Sequence, residues 1–223
     1  MAAILSPSML AYEDDFLLII DKPAGMLVHP TVSERGTTLY DYVKAYYEAN
    51  GITAGIHPVS RLDRNTSGLV IFAKEPVVQH WLSQQQVEKE YLALACGRFD
   101  CSEGIIEAPI ARKDGSIIER CVDYTHGKYA KTAYDVLAAY GSCTLLKVRL
   151  FTGRTHQIRV HLASIGHPLV NDNLYGTPGL RHAMRCMPIV WLQASRKRCI
   201  FRNYPRFAGG FTETSVLNKQ TMI

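Results

Sequence analysis

The sequence predicts an α+β fold in which a mixed, mainly antiparallel β-sheet is flanked by helices. Short apolar runs dominate the chain, turn-forming residues separate them, and only three stretches change to a helical period. The chain has 223 residues, of which 47% are hydrophobic and 20% charged, so it can bury one complete core. We therefore expect a single domain over residues 1–223.

The N-terminal part of the chain is expected to form strands around one helix. Residues 9–30 indicate a short strand, an acidic turn at 13–15 and a second strand at 16–20. A helix is predicted after Thr38, a candidate N-cap, because apolar residues recur at helical spacing up to Asn50-Gly51. The run GLVIFAKE at 68–75 is almost wholly apolar, which is typical of a strand covered on both faces.

The second half is expected to add more strands and two further helices. A short helix at 76–85 precedes the strand KEYLALACG at 89–97, and 96–127 is predicted to be irregular with short strands. Two strands joined near 140–142 follow. After Gly153 the period becomes helical, and this last helix should bury a stripe formed by Ile158, Leu162 and Ile165.

Charge is unevenly distributed along the chain. Between residues 147 and 206 there are eleven Lys or Arg and one acid, Asp172, whereas the remainder has 14 basic and 19 acidic residues. A one-sided basic field suits a polyanion such as nucleic acid. A solvated basic face is the alternative interpretation.

Cysteine spacing and hydropathy exclude several classes of protein. No two of the six cysteines lie closer than five positions, so no CxxC pair is present, and we expect reduced thiols and no metal. The apolar runs are too short to span a bilayer, and the N-terminus lacks the features of a secretory signal. We expect a cytoplasmic protein, a monomer, that does not associate with membranes.

Asp63 is the first candidate for chemistry. It lies between Arg61 and Arg64, in the loop that leads into the apolar strand at 68–75. A nearby guanidinium keeps a carboxylate ionised, and an ionised, partly desolvated carboxylate is a nucleophile or a base. The alternative is an Asx-turn, in which the Asp63 side chain caps the amide of Asn65 or Thr66.

Tyr91 and Arg159 are the next candidates. Strand alternation places Tyr91 on the same face as Ala93 and Ala95, which leaves room for a flat ligand above the alanines. Arg159 falls at the edge of the buried stripe of the last helix, where it could reach a carboxylate. The alternatives are an aromatic residue in the core for Tyr91 and an ordinary solvated helix edge for Arg159.

Four segments together resemble the motifs of the RluA-type family of RNA pseudouridine synthases. In chain order they are YEDDFLLIIDKPAGMLVHP, SRLDRNTSGLVIFAK, KEYLAL and TGRTHQIRVHLASIGHPLVNDNLYG. The resemblance is strongest over 10–176 and fades towards a divergent tail at 186–223. It implies a pseudouridine synthase-like catalytic domain that isomerises uridines of structured rRNA or tRNA without a cofactor.

The resemblance also assigns roles to residues. It implies that Asp63 is catalytic, either attacking C1′ of the ribose or abstracting a sugar proton, that Tyr91 faces the flipped uracil, and that Arg159 pairs with Asp63. Arg61 would hold the RNA in its flipped state. The candidate substrate-binding residues are Arg61, Arg64, Thr66, Arg154, His156 and Gln157.

The sequence departs from the family pattern in two places and leaves rival functions open. Ser60 stands where many members have histidine, and no separate N-terminal RNA-binding domain of the S4 type is expected. A catalytically inactive RNA-binding protein on the same scaffold is one rival, and a nucleoside hydrolase that uses the same carboxylate is another. We further expect that removing Arg159 costs activity far more than folding.

Overall fold

The computed structural model describes residues 5–32, 34, 36–85 and 89–176. Within these residues the chain forms ten strands and three α-helices, and a short 3-10 turn at Pro7–Met9 precedes the first strand. The strands are β1 (Leu10–Glu13), β2 (Leu17–Lys22), β3 (His57–Pro58), β4 (Gly68–Ala73), β5 (Lys89–Cys96), β6 (Glu103–Glu107), β7 (Ile110–Arg112), β8 (Arg120–Val122), β9 (Lys131–Tyr140) and β10 (Cys143–Leu150). The helices are α1 (Leu39–Ala49), α2 (Pro76–Gln84) and α3 (Gln157–Ser164).

The strands form two four-stranded sheets and a separate hairpin. The first sheet has the order β1-β2-β4-β3, the second has the order β5-β10-β9-β6, and β7 pairs with β8. Every pair of named strands in the described residues is antiparallel. The α+β class is confirmed, but the single sheet expected from the sequence is divided into two, because long-range pairs such as β5 with β10 leave no local signal in the sequence.

Local signals account well for the first sheet. The acidic turn after β1 is closed by Asp14, whose Oδ1 accepts hydrogen bonds from the amides of Phe16 at 2.8 Å and Leu17 at 2.6 Å. In β2 and β4 nearly every residue is buried, which confirms the expectation of a strand covered on both faces. One face of these strands packs on α2 and the other contributes to the main core.

The main core lies between the two sheets and fixes the loop before β4. Ile20 and Phe72 of the first sheet pack in the same cluster as Val148 of the second sheet and Leu162 of α3. Leu62 belongs to this cluster as well and is 8% exposed. Burying Leu62 therefore anchors the loop that carries Asp63 against the second sheet and α3.

Helix α3 is covered on more sides than its period predicted. Ile158 and Leu162 are in the main core as expected, but Ile165 lies just beyond the helix and is exposed. Val160 packs instead in a small cluster with Ile110 and Ala130 beneath the hairpin. The expectation of a single apolar stripe was wrong because the hairpin covers a second face of this helix.

Several expectations concern residues that the structure does not describe. The divergent tail at 186–223 lies outside the described residues, as do the basic residues beyond Gly176. The expectation of one domain over 1–223 stays a prediction. None of the described helices is long and apolar enough to cross a membrane.

The start of α1 offers a test of local stability. Thr38 and Asp41 form a capping box: the Thr38 side chain accepts from the Asp41 amide, and the Thr38 amide donates to Asp41 Oδ2 at 3.0 Å. We expect Thr38→Ala to lower the free energy of unfolding by about 1 kcal/mol, measured by urea denaturation. Thr37→Ala is the matched control because Thr37 is exposed. An equal loss in both variants would contradict the cap.

Candidate active site at the junction of the two sheets

Asp63 lies in a tight turn directly before β4. The amide of Thr66 donates to the backbone oxygen of Asp63 at 3.1 Å, so a main-chain bond closes the turn. This bond does not use the Asp63 carboxylate, whose side chain is 35% exposed. The Asx-turn alternative assigned the amide of Asn65 or Thr66 to the side chain of Asp63, and for Thr66 the structure assigns the amide to the main chain.

A buried lysine is hydrogen-bonded to the turn that carries Asp63. Lys22 is fully buried at the end of β2, and its Nζ donates to the backbone oxygens of Pro23 at 2.9 Å, Met26 at 2.8 Å and Arg64 at 3.2 Å. Burial lowers the pKa of Lys22 to about 8, although the negative charge of Asp63 acts in the opposite direction. Lys22 was not among the residues predicted from the sequence. The one sequence feature that could have indicated it is its position at the end of a buried strand.

Tyr91 lies on the core face of β5, close enough to Asp63 for their charges to interact. The predicted alternation is confirmed, since Tyr91, Ala93 and Ala95 are all buried. Burial, and secondly the negative charge of Asp63, raise the pKa of Tyr91 to about 12. The phenol is therefore neutral at physiological pH. Tyr91 is only 8% exposed, so it is a core residue as well as a neighbour of the Asp63 carboxylate.

Arg159 binds a different carboxylate from the one expected. Its Nε and Nη2 donate to Asp172 Oδ2 and Oδ1, each at 2.7 Å, which is a bidentate ion pair. Among the described residues no ion pair joins Arg159 to Asp63. The expected direct pair is thus corrected: Asp172, thirteen residues along the chain, accepts both hydrogen bonds.

The Asp172 carboxylate is fully buried and depends on its partners. It also accepts hydrogen bonds from the amides of Leu174 at 2.9 Å and Tyr175 at 3.1 Å. Burial alone would raise the pKa of Asp172, but Arg159 and the two amides outweigh burial and hold the pKa below its usual value. Burial would lower the pKa of Arg159, whereas Asp172 and, more weakly, Asp63 raise it.

The imidazole of His156 lies close to the Asp63 carboxylate. Its Nε2 lies 4.0 Å from Asp63 Oδ2, and its Nδ1 lies 2.7 Å from the hydroxyl oxygen of Tyr175. Burial lowers the pKa of His156, and Asp63 opposes that shift. His156 was predicted to bind substrate, and the structure places it beside the proposed catalytic carboxylate.

The two arginines that flank Asp63 both reach the surface. Arg61 is exposed, and its charge adds to burial in lowering the pKa of His29, so these two side chains are neighbours. Arg64 is also exposed and makes a bidentate pair with Glu34, one of whose bonds, from Nη1 to Oε1, is 3.1 Å long. Arg61 thus keeps its charge close to the site, while the charge of Arg64 is partly neutralised by Glu34.

Three other candidates for substrate binding are buried or make hydrogen bonds within the protein. Gln157 is 2% exposed: its Nε2 donates to Lys131 O and Thr132 Oγ1, and its Oε1 accepts from the Thr152 hydroxyl and the Arg154 amide. Its amide group is therefore saturated within the protein. Arg154 Nε donates to the backbone oxygen of Tyr129 at 2.9 Å, and Thr66 is buried. Burial and internal hydrogen bonds leave Gln157 little for a ligand, whereas Arg154 is exposed and only its Nε is engaged, so substrate binding by these residues stays a prediction.

The described residues contain no group of three or more His, Cys, Asp or Glu that could hold a metal ion. The side chains around Asp63 define the chemistry that the site can offer. These are one partly exposed carboxylate, a neutral phenol, an imidazole and nearby guanidinium groups. A partly exposed carboxylate in such a set can act as a nucleophile or a base.

The chain is similar in sequence to known proteins. A curated Bacillus subtilis protein, "Uncharacterized RNA pseudouridine synthase YhcT", is 41% identical over 172 residues, which are 74% of this chain and 56% of that protein. The Nitrosomonas europaea "Ribosomal large subunit pseudouridine synthase D" is 43% identical over 176 residues, which are 76% of this chain and 50% of that protein. The chain thus spans about half the length of the curated relatives it matches.

A solved structure shares the fold. "Human RNA Pseudouridylate Synthase Domain Containing 1" matches with a TM-score of 0.66 and 24% identity, over 82% of this chain and 75% of that one. The sequence model for the family described as RNA pseudouridylate synthase matches residues 16–164. That match takes in Asp63, Tyr91 and Arg159 and confirms the resemblance seen in the motifs, so the chain belongs to the RNA pseudouridylate synthase family.

Proposed function

We propose that this chain is an RNA pseudouridine synthase, an isomerase that converts uridine in structured rRNA or tRNA to pseudouridine with Asp63 as its catalytic residue. The observation that supports this best is the setting of Asp63: a partly exposed carboxylate beside a buried, neutral Tyr91. The family membership of residues 16–164 agrees with it. The name of the Nitrosomonas relative favours ribosomal RNA as the substrate.

The reaction is an isomerisation that needs no external reactant. The bond from C1′ to N1 of uracil breaks, the base rotates while it is held, and a bond forms from C5 to C1′. C5 then loses its proton and N1 gains one, so the atoms balance. The Asp63 carboxylate can begin this sequence by attacking C1′, in which case its bond to C1′ breaks as C5 bonds to C1′, or by removing a sugar proton that it later returns. We propose that neither cofactor nor metal takes part.

Neighbouring residues fit this chemistry. Extruding a uridine from a folded RNA costs a few kcal/mol. The exposed guanidinium of Arg61 can bind the RNA backbone or fill the space that the base leaves. Because Tyr91 is 8% exposed, it would contact the base with the small part of its side chain that reaches the pocket. We further propose that the protein acts as a monomer in the cytoplasm.

Asp63→Asn tests the proposed function. The amide keeps the size of the side chain and removes its charge, so we expect loss of isomerisation with RNA affinity unchanged within a few-fold. Release of tritium from RNA labelled at C5 of uridine measures turnover, and filter binding measures affinity. Asp15→Asn is the matched control, because Asp15 is an exposed carboxylate in the turn after β1.

The same assay separates the rival functions. A wild-type protein that binds RNA but releases no tritium from RNA of its own organism would be an inactive RNA-binding protein. Free uracil in the chromatogram would instead show a hydrolase. Mapping pseudouridines in cells with and without the gene then identifies the modified site and decides between rRNA and tRNA.

Arg159→Ala tests the corrected role of this arginine. It leaves the fully buried Asp172 carboxylate without its partner, so we expect the free energy of unfolding at pH 7 to fall by about 3–5 kcal/mol as well as a loss of turnover. Denaturation in urea measures the change. Arg112→Ala is the control because Arg112 is exposed on β7.

The ion pair also predicts a dependence on pH. The pKa of Asp172 lies below 3.8 in the folded protein, so the unfolded chain binds more protons in acid. The stabilisation is complete above about pH 3.8 and is lost as the pH falls through the folded-state value. Arg159→Ala should flatten this acid limb of the stability profile. If the free energy of unfolding of Arg159→Ala equals that of the wild type at pH 7 and falls in acid in the same way, the ion pair contributes nothing to stability.

A further inference from the structure

His156 adopts a backbone conformation that is uncommon among residues other than glycine. Its φ is 58°, in the left-handed region, immediately before helix α3 begins at Gln157. Within the described residues only Asn171 shares a positive φ among residues other than glycine. Such conformations cost free energy and are concentrated at functional sites. The chain therefore accepts a local cost to hold this imidazole where it is.

The two ring nitrogens of His156 face different partners. Nδ1 lies 2.7 Å from the Tyr175 hydroxyl, and Nε2 lies 4.0 Å from Asp63 Oδ2. The Tyr175 hydroxyl also accepts a hydrogen bond from the backbone amide of Arg120 at 2.8 Å. The rings of His156 and Tyr175 meet edge to face, with centroids 5.6 Å apart, so the contact between them is well defined.

Counting donors favours one neutral tautomer of the ring. The Arg120 amide can only donate, so it occupies one lone pair of the Tyr175 oxygen and leaves the hydroxyl hydrogen to find an acceptor. Nδ1 of His156 is the acceptor within reach. A neutral imidazole whose Nδ1 accepts carries its proton on Nε2, the nitrogen that faces Asp63.

We propose that His156 is a positioning residue for the reaction proposed above: Tyr175 fixes its neutral tautomer, and its Nε2–H orients the carboxylate of Asp63. This inference rests on the proposed function of Asp63. It gives Asp63 a polar neighbour in addition to the charge of Arg159, whose Nε and Nη2 donate to Asp172. It also gives Tyr175, which the sequence analysis did not single out, a role in the site.

The 4.0 Å separation fits a contact that closes when substrate binds. It is too long for a hydrogen bond, and catalytic hydrogen bonds are often long in free enzymes and shorten in the complex. The charged and titratable groups around His156 are Asp63 from the loop before β4, Arg120 from β8, Arg159 from α3, and Asp172 and Tyr175 from the segment after α3.

These surroundings keep the ring neutral. Burial has the largest effect and lowers the pKa of His156, and the charges of Arg159 and Arg120 act in the same direction. The carboxylates of Asp63 and Asp172 oppose them without reversing the shift. A neutral ring at physiological pH is what a donor on Nε2 combined with an acceptor on Nδ1 requires.

The competing explanation is that His156 is present only because the backbone is left-handed at this position. Asparagine is well suited to the left-handed region but is too short to reach Asp63, whereas glutamine reaches as far as Nε2 and is less suited to that backbone. His156→Asn and His156→Gln therefore separate the two explanations. His80→Asn, in an exposed histidine of α2, is the control for the substitution itself.

We expect His156→Asn to lower kcat by about 10²-fold, the cost of misplacing a reacting group by about 1 Å, with KM nearly unchanged. His156→Gln should retain more of kcat than His156→Asn. Melting temperatures should follow the opposite order. If kcat falls equally in both variants, or falls in His156→Gln alone, the positioning role is overturned.

A measurement that does not depend on activity tests the tautomer. The ¹⁵N chemical shifts of the His156 ring near neutral pH should show a protonated Nε2 and an unprotonated Nδ1. Tyr175→Phe keeps the ring that lies 4.8 Å from the Arg159 guanidinium and removes only the hydroxyl, so it should mix the two tautomers. A proton on Nδ1, or a doubly protonated ring at neutral pH, would overturn the inference.

These readouts distinguish the inference from the proposed function. A wild-type protein without isomerase activity but with the expected ¹⁵N signature would refute the proposed function and leave the geometry of His156 in place. An active wild-type protein with kcat equal in His156→Asn and the His80→Asn control would keep the function and refute the role of His156.

Discussion

The site depends on one packing constraint, the core shared by the two four-stranded sheets. Leu62 enters that core from the loop before β4, while Ile158 and Leu162 enter it from α3. Asp63 directly follows Leu62, and His156 lies two residues before Ile158. Burying the apolar side chains therefore brings a carboxylate and an imidazole together, although 93 residues of chain separate them.

Electrostatics then divide the work among the charged groups. Arg159 and Asp172 form a closed pair, held further by two main-chain amides, and this pair fixes the start of α3 to the segment that follows it. The ammonium group of Lys22 likewise donates hydrogen bonds to three backbone oxygens, one of which belongs to the turn that carries Asp63. The strongest partners stabilise the framework, which leaves Asp63 partly exposed and available for chemistry.

Sequence patterns predicted the parts of this arrangement that depend on near neighbours. Alternation along β5 placed Tyr91 on the buried face, the candidate N-cap Thr38 marked the start of α1, and the apolar run after Asp63 marked a covered strand. The partner of Arg159 could not be found in this way, because Asp172 reaches it through the irregular chain after α3. The same holds for Gln157, whose acceptors and donors come from β9 and the loop after β10.

The central claim is that the Asp63 carboxylate meets the ribose of an everted nucleotide. A crystal structure with an RNA that carries 5-fluorouridine at the target position tests it most directly, since fluorine at C5 blocks the loss of the C5 proton and holds the complex before release. The account predicts the fluorinated base beside Tyr91, with its ribose in contact with Asp63. A target nucleotide that stays stacked in the RNA, or lies in another cavity away from residue 63, would contradict it.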